Sequence, residues 1–214
     1  MIITRHLLKL YRTIFIKLGF DKYNTTYTRN FYKRAIVNSD GGAKYLTKYL
    51  LSKYKINSIL DIGCGNGVYL RRFYESGVKK IIGIDISENA LKESVISLDH
   101  IKLMDLSKYF NLNRKFDIVI CIEVAEHIPG ESSDLLVENI SRHGNLIIFT
   151  AATPGQGGTD HINEQPKEYW ISKFKKAGLN FDNKETIKLS KYLMDNGSVF
   201  WLYKNLMVFN RQND

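Results

Sequence analysis

The chain has 214 residues, 44% hydrophobic and 25% charged, the proportions of a globular protein large enough to bury its own core. Its two cysteines, Cys64 and Cys121, both flank hydrophobic runs, which excludes a disulfide framework and leads us to expect a reducing, cytoplasmic setting. The formal charge of +9 is uneven: residues 1–55 carry twelve Lys/Arg against Asp21 and Asp40 (+10), and residues 56–214 carry nineteen against twenty Asp/Glu (−1).

Residues 1–55 read as a basic, mostly helical N-terminal arm that caps an acceptor site, and 56–214 as the main domain. In "MIITRHLLKLYRTIFIKLGF" the longest uncharged apolar stretch is Thr13 to Ile16, far short of the about 7–15 residues of a secretory core. Lys9, Arg12 and Lys17 interrupt any spanning segment, so no transmembrane helix is expected. The arm's charge suits an anionic partner, RNA or a membrane surface, and equally suits a solvated helical face. "SDGGAKYLTKYLLSKY" (39–54) reads as a capped helix leading into the first strand.

From residue 56 strands and helices alternate. "INSILDI" (56–62), "KIIGIDI" (80–86), "HIKLMDL" (100–106), "FDIVICIEV" (116–124) and "GNLIIFTAA" (144–152) are short apolar runs of buried-strand character. Between them, "GVYLRRFYESG" (67–77), "SENALKESVISL" (87–98), "SSDLLVENISRHG" (132–144) and "QPKEYWISKFKKAG" (165–178) have helical spacing and terminal signals. After Gly178, "LNFDNKETIKL" (179–189) and "SVFWLYKNLMVFNR" (198–211) read as two strands with a loop between. The expected fold is α/β: a Rossmann-like, mostly parallel seven-stranded sheet with helices on both faces and an antiparallel C-terminal edge pair.

"LDIGCGNGVYL" (60–70) sets Asp61, Gly63, Gly65 and Gly67 where the first strand ends and its helix begins. Ligands of open parallel sheets bind at such carboxyl ends, where glycine permits positive φ and leaves room against the backbone, and the helix N-terminus offers N–H groups. The spacing D-x-G-x-G-x-G differs from the dinucleotide pattern G-x-G-x-x-G, and no Lys-Ser or Lys-Thr follows to make a P-loop.

These residues resemble the class I S-adenosylmethionine-dependent methyltransferases, over roughly residues 40–210. The resemblance assigns "DIGCGNG", with Asp61, Gly63, Cys64, Gly65 and Gly67, to the loop around the methionine part of the cofactor. In "IIGIDIS" it assigns Asp85, followed by Ile86, to the ribose hydroxyls, and in "LMDL" it assigns Asp105, followed by Leu106, to the adenine. It places Glu123 to His127 of "ICIEVAEHI" at the transferred methyl, and matches "WLYKNLMVFN" to the family's antiparallel last strand. Methyl transfer to a hydroxyl needs positioned reactants and removal of a proton, which directs attention to Glu123, His127 and His161.

"EVAEHIP" (123–129) resembles small-molecule O-methyltransferases, including those of ubiquinone biosynthesis. The loop "TAATPGQGGTDHINEQPKEYW" (150–170), with Gly155, Gly157, Gly158 and His161, resembles enzymes of glycan assembly and implies O-methylation of a sugar hydroxyl. Glu123, Glu126, His127 and His161 also match by residue type the metal-holding set of methyltransferases that modify the terminal ribose 2′-hydroxyl of small RNAs, which implies Mg or Mn. A sugar, an RNA ribose and a small-metabolite hydroxyl all stay open as acceptors, and Cys64 and Cys121 are expected to be structural.

Overall fold

The computed structural model describes residues 27–211. The expectations placed on residues 1–26, the basic opening helix and its anionic partner, lie outside the described residues. No helix among the described residues is long and apolar enough to cross a membrane.

Seven strands form one sheet in the order β3-β2-β1-β4-β5-β7-β6: β1 Ser58–Ile62, β2 Lys80–Asp85, β3 Ile101–Leu103, β4 Ile118–Ile122, β5 Leu146–Thr150, β6 Asn180–Phe181 and β7 Met207–Asn210. The β3-β2-β1-β4-β5 run is parallel, whereas β7 lies antiparallel to both β5 and β6. The expected architecture is therefore present, including the antiparallel edge.

Helices α1 Arg29–Lys53, α2 Val68–Glu75, α3 Glu88–Lys92, α4 Ser133–His143, α5 Lys167–Lys176, α6 Asn183–Asp195 and α7 Phe200–Asn205 surround the sheet. Side chains alternate across a strand, so each strand feeds two cores. Ile59, Ile118, Ile120 and Ile148 pack with α1, α2, α6 and α7, through Leu46, Leu50, Leu70, Phe73, Leu189 and Leu202. Leu60, Val119, Cys121 and Phe149 face the opposite side and pack with α4 and α5. There Phe149, Trp170, Phe174 and Phe209 form an aromatic cluster, with Phe174 and Phe209 stacked, centroids 4.1 Å apart.

Four elements correct the sequence reading. The first helix begins at Arg29, capped by Thr28, and runs through Ser39 and Asp40 without a break. Asp40 does not cap; it accepts from Arg71 Nη2 at 2.6 Å and Arg72 Nε at 2.8 Å, joining α1 to α2. Helix α3 ends at Lys92 rather than reaching residue 98. The stretch expected as a strand over 179–189 is strand only at Asn180–Phe181 and then turns helical. The Asp182 side chain accepts from Glu185 N at 2.9 Å, and Thr186, Leu189 and Leu193 fall on one buried face. Likewise "FWLYKN" forms α7 despite its strand-favouring composition, burying Leu202 and Asn205 one turn apart.

Candidate active site

The carboxyl ends of β1, β2 and β4 open into a cavity of about 580 Å³, walled on its far side by Tyr27, Phe31, Tyr32 and Arg34 at the start of α1. Its two ends differ in construction.

At the first end the β1–α2 turn is anchored to β2: Gly63 N and Cys64 N both donate to Ile84 O, at 2.8 and 2.9 Å. Gly63, Gly65 and Gly67 have φ of 78°, 52° and 84°, a region that strongly favours glycine. Their surroundings separate them. A Cβ on Gly63 would collide with Val124, and one on Gly67 would meet Ile96 at 2.9 Å. A Cβ on Gly65 would meet only the Tyr32 ring, at 3.5 Å. So close protein packing explains Gly63 and Gly67, and ligand space explains at most Gly65.

Asp85 ends β2 and is buried at 8% exposure. Its Oδ2 accepts from Gly65 N at 2.8 Å and its Oδ1 from Ser87 N at 2.8 Å. Each oxygen keeps a lone pair for a further donor. Burial pushes its carboxyl up, and the N–H groups of Ser87, Gly65 and Ile86 oppose that shift. Asp61 lies deeper, with Oδ2 buried and unpartnered among the described residues; burial, then the charge of Asp85, push its carboxyl well above the ordinary range. A buried orphan carboxylate oxygen in a cavity wall fits a cationic or N–H-bearing ligand group. Asp105 Oδ1 is engaged by Ser107, from N at 2.9 Å and Oγ at 2.6 Å.

At the second end Glu123 follows β4 with φ of 53°, an uncommon conformation for a residue with a side chain. Its N–H donates to Thr150 Oγ1 at 2.8 Å. Its carboxylate accepts from Asn205 Nδ2 at 3.0 Å and from Gln156 Nε2 at 3.3 Å, and burial raises its pKa. Glu126, fully buried, has both carboxylate oxygens without a hydrogen-bond partner among the described residues. Burial, reinforced by the charge of Glu123, pushes its carboxyl up to about 8.

His127 Nδ1 lies 3.0 Å from the Tyr27 hydroxyl and 3.1 Å from Asp160 O. A carbonyl can only accept, so Nδ1 carries the proton toward Asp160 and Nε2 keeps its lone pair. Burial lowers the pKa of this ring, which favours its neutral form. His161 stands edge-on to it, ring centroids 5.0 Å apart. Ligand atoms of Glu126, His127 and His161 all lie within 4.8 Å of one another.

A family model described as a methyltransferase domain matches residues 33–188. The chain belongs to that family. Its fold is that of the class I S-adenosylmethionine-dependent methyltransferases. One curated relative, the ubiquinone biosynthesis O-methyltransferase of Nitrosomonas europaea, is 27% identical over 122 residues, which are 52% of this chain and 46% of the relative. The chain spans about half the length of the curated relatives it matches. A solved sugar N-methyltransferase from a Streptoalloteichus species is similar with a TM-score of 0.64 and 15% identity, over 87% of this chain and 93% of that one. A solved small RNA methyltransferase is similar with a TM-score of 0.61 and 18% identity, over 82% of this chain and 25% of that one. At such identities these two likenesses show the fold alone.

Of the residues singled out in the sequence, Asp61, Gly63, Cys64, Gly65, Asp85, Ile86, Asp105, Leu106, Glu123, His127 and His161 line this one cavity. Gly67 does not; it is the N-cap of α2. Glu126 does not line the cavity, and Glu123 is outside the cluster formed by Glu126, His127 and His161, its carboxylate bonded to Asn205 and Gln156. Cys64 and Cys121 are free and buried, Cys64 packed over Gly83 of β2.

Sequence reasoning missed Glu164, Gln156 and Asn205. Glu164 left a local signal, a carboxylate three residues after His161, and Gln156 lies in the same loop; Asn205 arrives from a distant segment.

Proposed function

We propose that this methyltransferase transfers the methyl group of S-adenosylmethionine to a sugar hydroxyl, and the observation that carries the reading is that one cavity joins the acid-and-glycine cradle of β1 and β2 to the imidazole pair formed by His127 after β4 and His161 after β5. S-adenosylmethionine, when bound, supplies an electrophilic methyl on a sulfonium. Asp85 offers its spare lone pairs to the two ribose hydroxyls, Ile86 and Leu106 give the purine apolar walls beside Asp105, and the orphaned Asp61 oxygen accepts from the cationic methionine end. These residues hold the donor; they do no covalent chemistry.

The acceptor hydroxyl lies at the other end. His161 Nε2 would take its proton, freeing the oxygen to receive the methyl that bound S-adenosylmethionine would supply. Tyr27, Phe31, Tyr32 and Trp201 supply ring faces on which a sugar can stack, and residues 27–32 of the N-terminal arm thereby cap the acceptor.

The buried, unpartnered Glu126 favours a second form of this reading. With His127 and His161 it would hold Mg or Mn, which would lower the pKa of a hydroxyl it binds, on a sugar or on a terminal ribose of RNA. Transfer of tritiated methyl from labelled cofactor into glycan, small-metabolite and RNA fractions tests the acceptor; label confined to metabolites or RNA rejects the sugar. His161→Ala is expected to cost at least about 10² in turnover while sparing cofactor binding. Full activity after EDTA treatment rejects the metal, and near-normal turnover of His161→Ala rejects both roles of that ring.

A further inference from the structure

The 155–164 loop is organised around one carboxylate that the chemistry above does not use. Glu164 Oε1 accepts from His161 Nδ1 at 2.9 Å and from Gly157 N at 2.7 Å, while Oε2 accepts from Gly155 N at 2.8 Å. Gly155 and Gly157 have φ of 82° and 68°, which turns their N–H groups inward to a single anion, as successive amides do in an anion nest. The far end of the loop is fixed separately: Ile162 N and Asn163 N donate to Glu126 O at 2.9 and 3.0 Å. Between the two anchors Gln156 reaches Glu123, and Gly158 backs onto the His161 ring so closely that a Cβ there would overlap it.

We infer that Glu164 is the positioning residue of the acceptor side: it fixes His161 with the proton on Nδ1 and folds the glycine loop that carries the ring to the cavity. This rests on the role given to His161 above. A carboxylate can only accept, so its partner nitrogen must carry the proton, and the other nitrogen is left with its lone pair. That lone pair is what either proton abstraction or metal binding requires, so the inference holds for both forms of the reaction.

The test uses the full chain with ¹⁵N-labelled histidine, in which long-range ¹H–¹⁵N correlations read the tautomer of each ring. In the wild type, neutral His161 is expected to be protonated at Nδ1. Glu164→Ala should lose that preference and reduce turnover by about 10–100-fold, the range for an outer partner of a working imidazole, with cofactor affinity unchanged. Glu164→Gln has one acceptor oxygen for three donors and should fall between the two in tautomer and in turnover. An unchanged tautomer in Glu164→Ala overturns the inference whatever turnover does, and if that variant fails to fold, a wild-type spectrum in Glu164→Gln does the same. A lost tautomer with wild-type turnover upholds the positioning and overturns instead the role proposed for His161.

Discussion

The two ends of the cleft are built by opposite means. At the cofactor end, Asp61 to Gly67 and Asp85 to Ser87 are short contiguous stretches, and their polar contacts are mostly to backbone N–H groups two to twenty residues away. At the acceptor end, side chains from residues 27, 123–127, 156–164 and 205 meet, over separations of up to 100 residues, and hold one another. A backbone-built end tolerates change in its surroundings because strand register fixes it. A side-chain-built end is tuned by single residues, so substrate choice can change there while cofactor binding stays.

The largest effect should come from the backbone-built end. Asp85→Ala removes the carboxylate proposed for the two ribose hydroxyls and also releases Gly65 N and Ser87 N. Charge-assisted bonds contribute about 1.5–3 kcal/mol each, so calorimetric titration should show cofactor affinity lower by at least about 10²-fold. Unchanged affinity would dissolve the contrast between the ends.

Next is Gly158→Ala, which pushes a methyl into the His161 ring. A displacement of about 1 Å can cost about 10²-fold in rate, and steady-state kinetics should show that loss in turnover with cofactor affinity intact. Gly155→Ala is the control. It meets no neighbour within 4 Å, although its φ of 82° strains any side chain, so it should lower the melting temperature more than it displaces the ring. Equal turnover losses in both variants would show that the loop, rather than the ring, sets the rate.

A smaller effect is expected at Asn205, fully buried and bonded through Nδ2 to Glu123 and to Gln156 Oε1, both at 3.0 Å. Asn205→Ala strips Glu123 of the donor that most opposes its raised pKa, and should push that carboxyl further up. The stability cost should be about 1–3 kcal/mol, the penalty for buried groups left unpaired, measurable by denaturant unfolding. A neutral result would mean that the Glu123 network is not held from α7.

The smallest effect lies away from the cleft. Arg72, then Arg71, lower the pKa of Asp40 from its ordinary 3.8. A depressed carboxyl adds stability above its unfolded pKa and loses it as pH falls through the folded value. Wild-type melting temperature should therefore drop more steeply than that of Asp40→Asn below pH about 4. Parallel curves would show that this partly exposed cluster adds nothing to the α1–α2 junction.

Sequence by itself determined the alternation that makes a parallel sheet, because runs such as "SILDI" and "IVICI" can satisfy their backbone and bury both faces only inside one. It also put Asp61, Gly63 and Gly65 on one cavity wall, because they are close neighbours in the chain where β1 ends. Tertiary structure decided the rest. The antiparallel edge was legible, yet α6 and α7 overrode strand-like composition through the Asp182 cap and the burial of Leu189, Leu193, Leu202 and Asn205. Gly63 and Gly67 turned out to be required by Val124 and Ile96, side chains that only folding brings there. Glu123 stands apart from the cluster of Glu126, His127 and His161, its carboxylate bonded to Asn205, 82 residues away. Local pattern fixes what neighbouring residues do for one another; which distant donor reaches a buried acid is settled by packing, and no spacing in the chain records it.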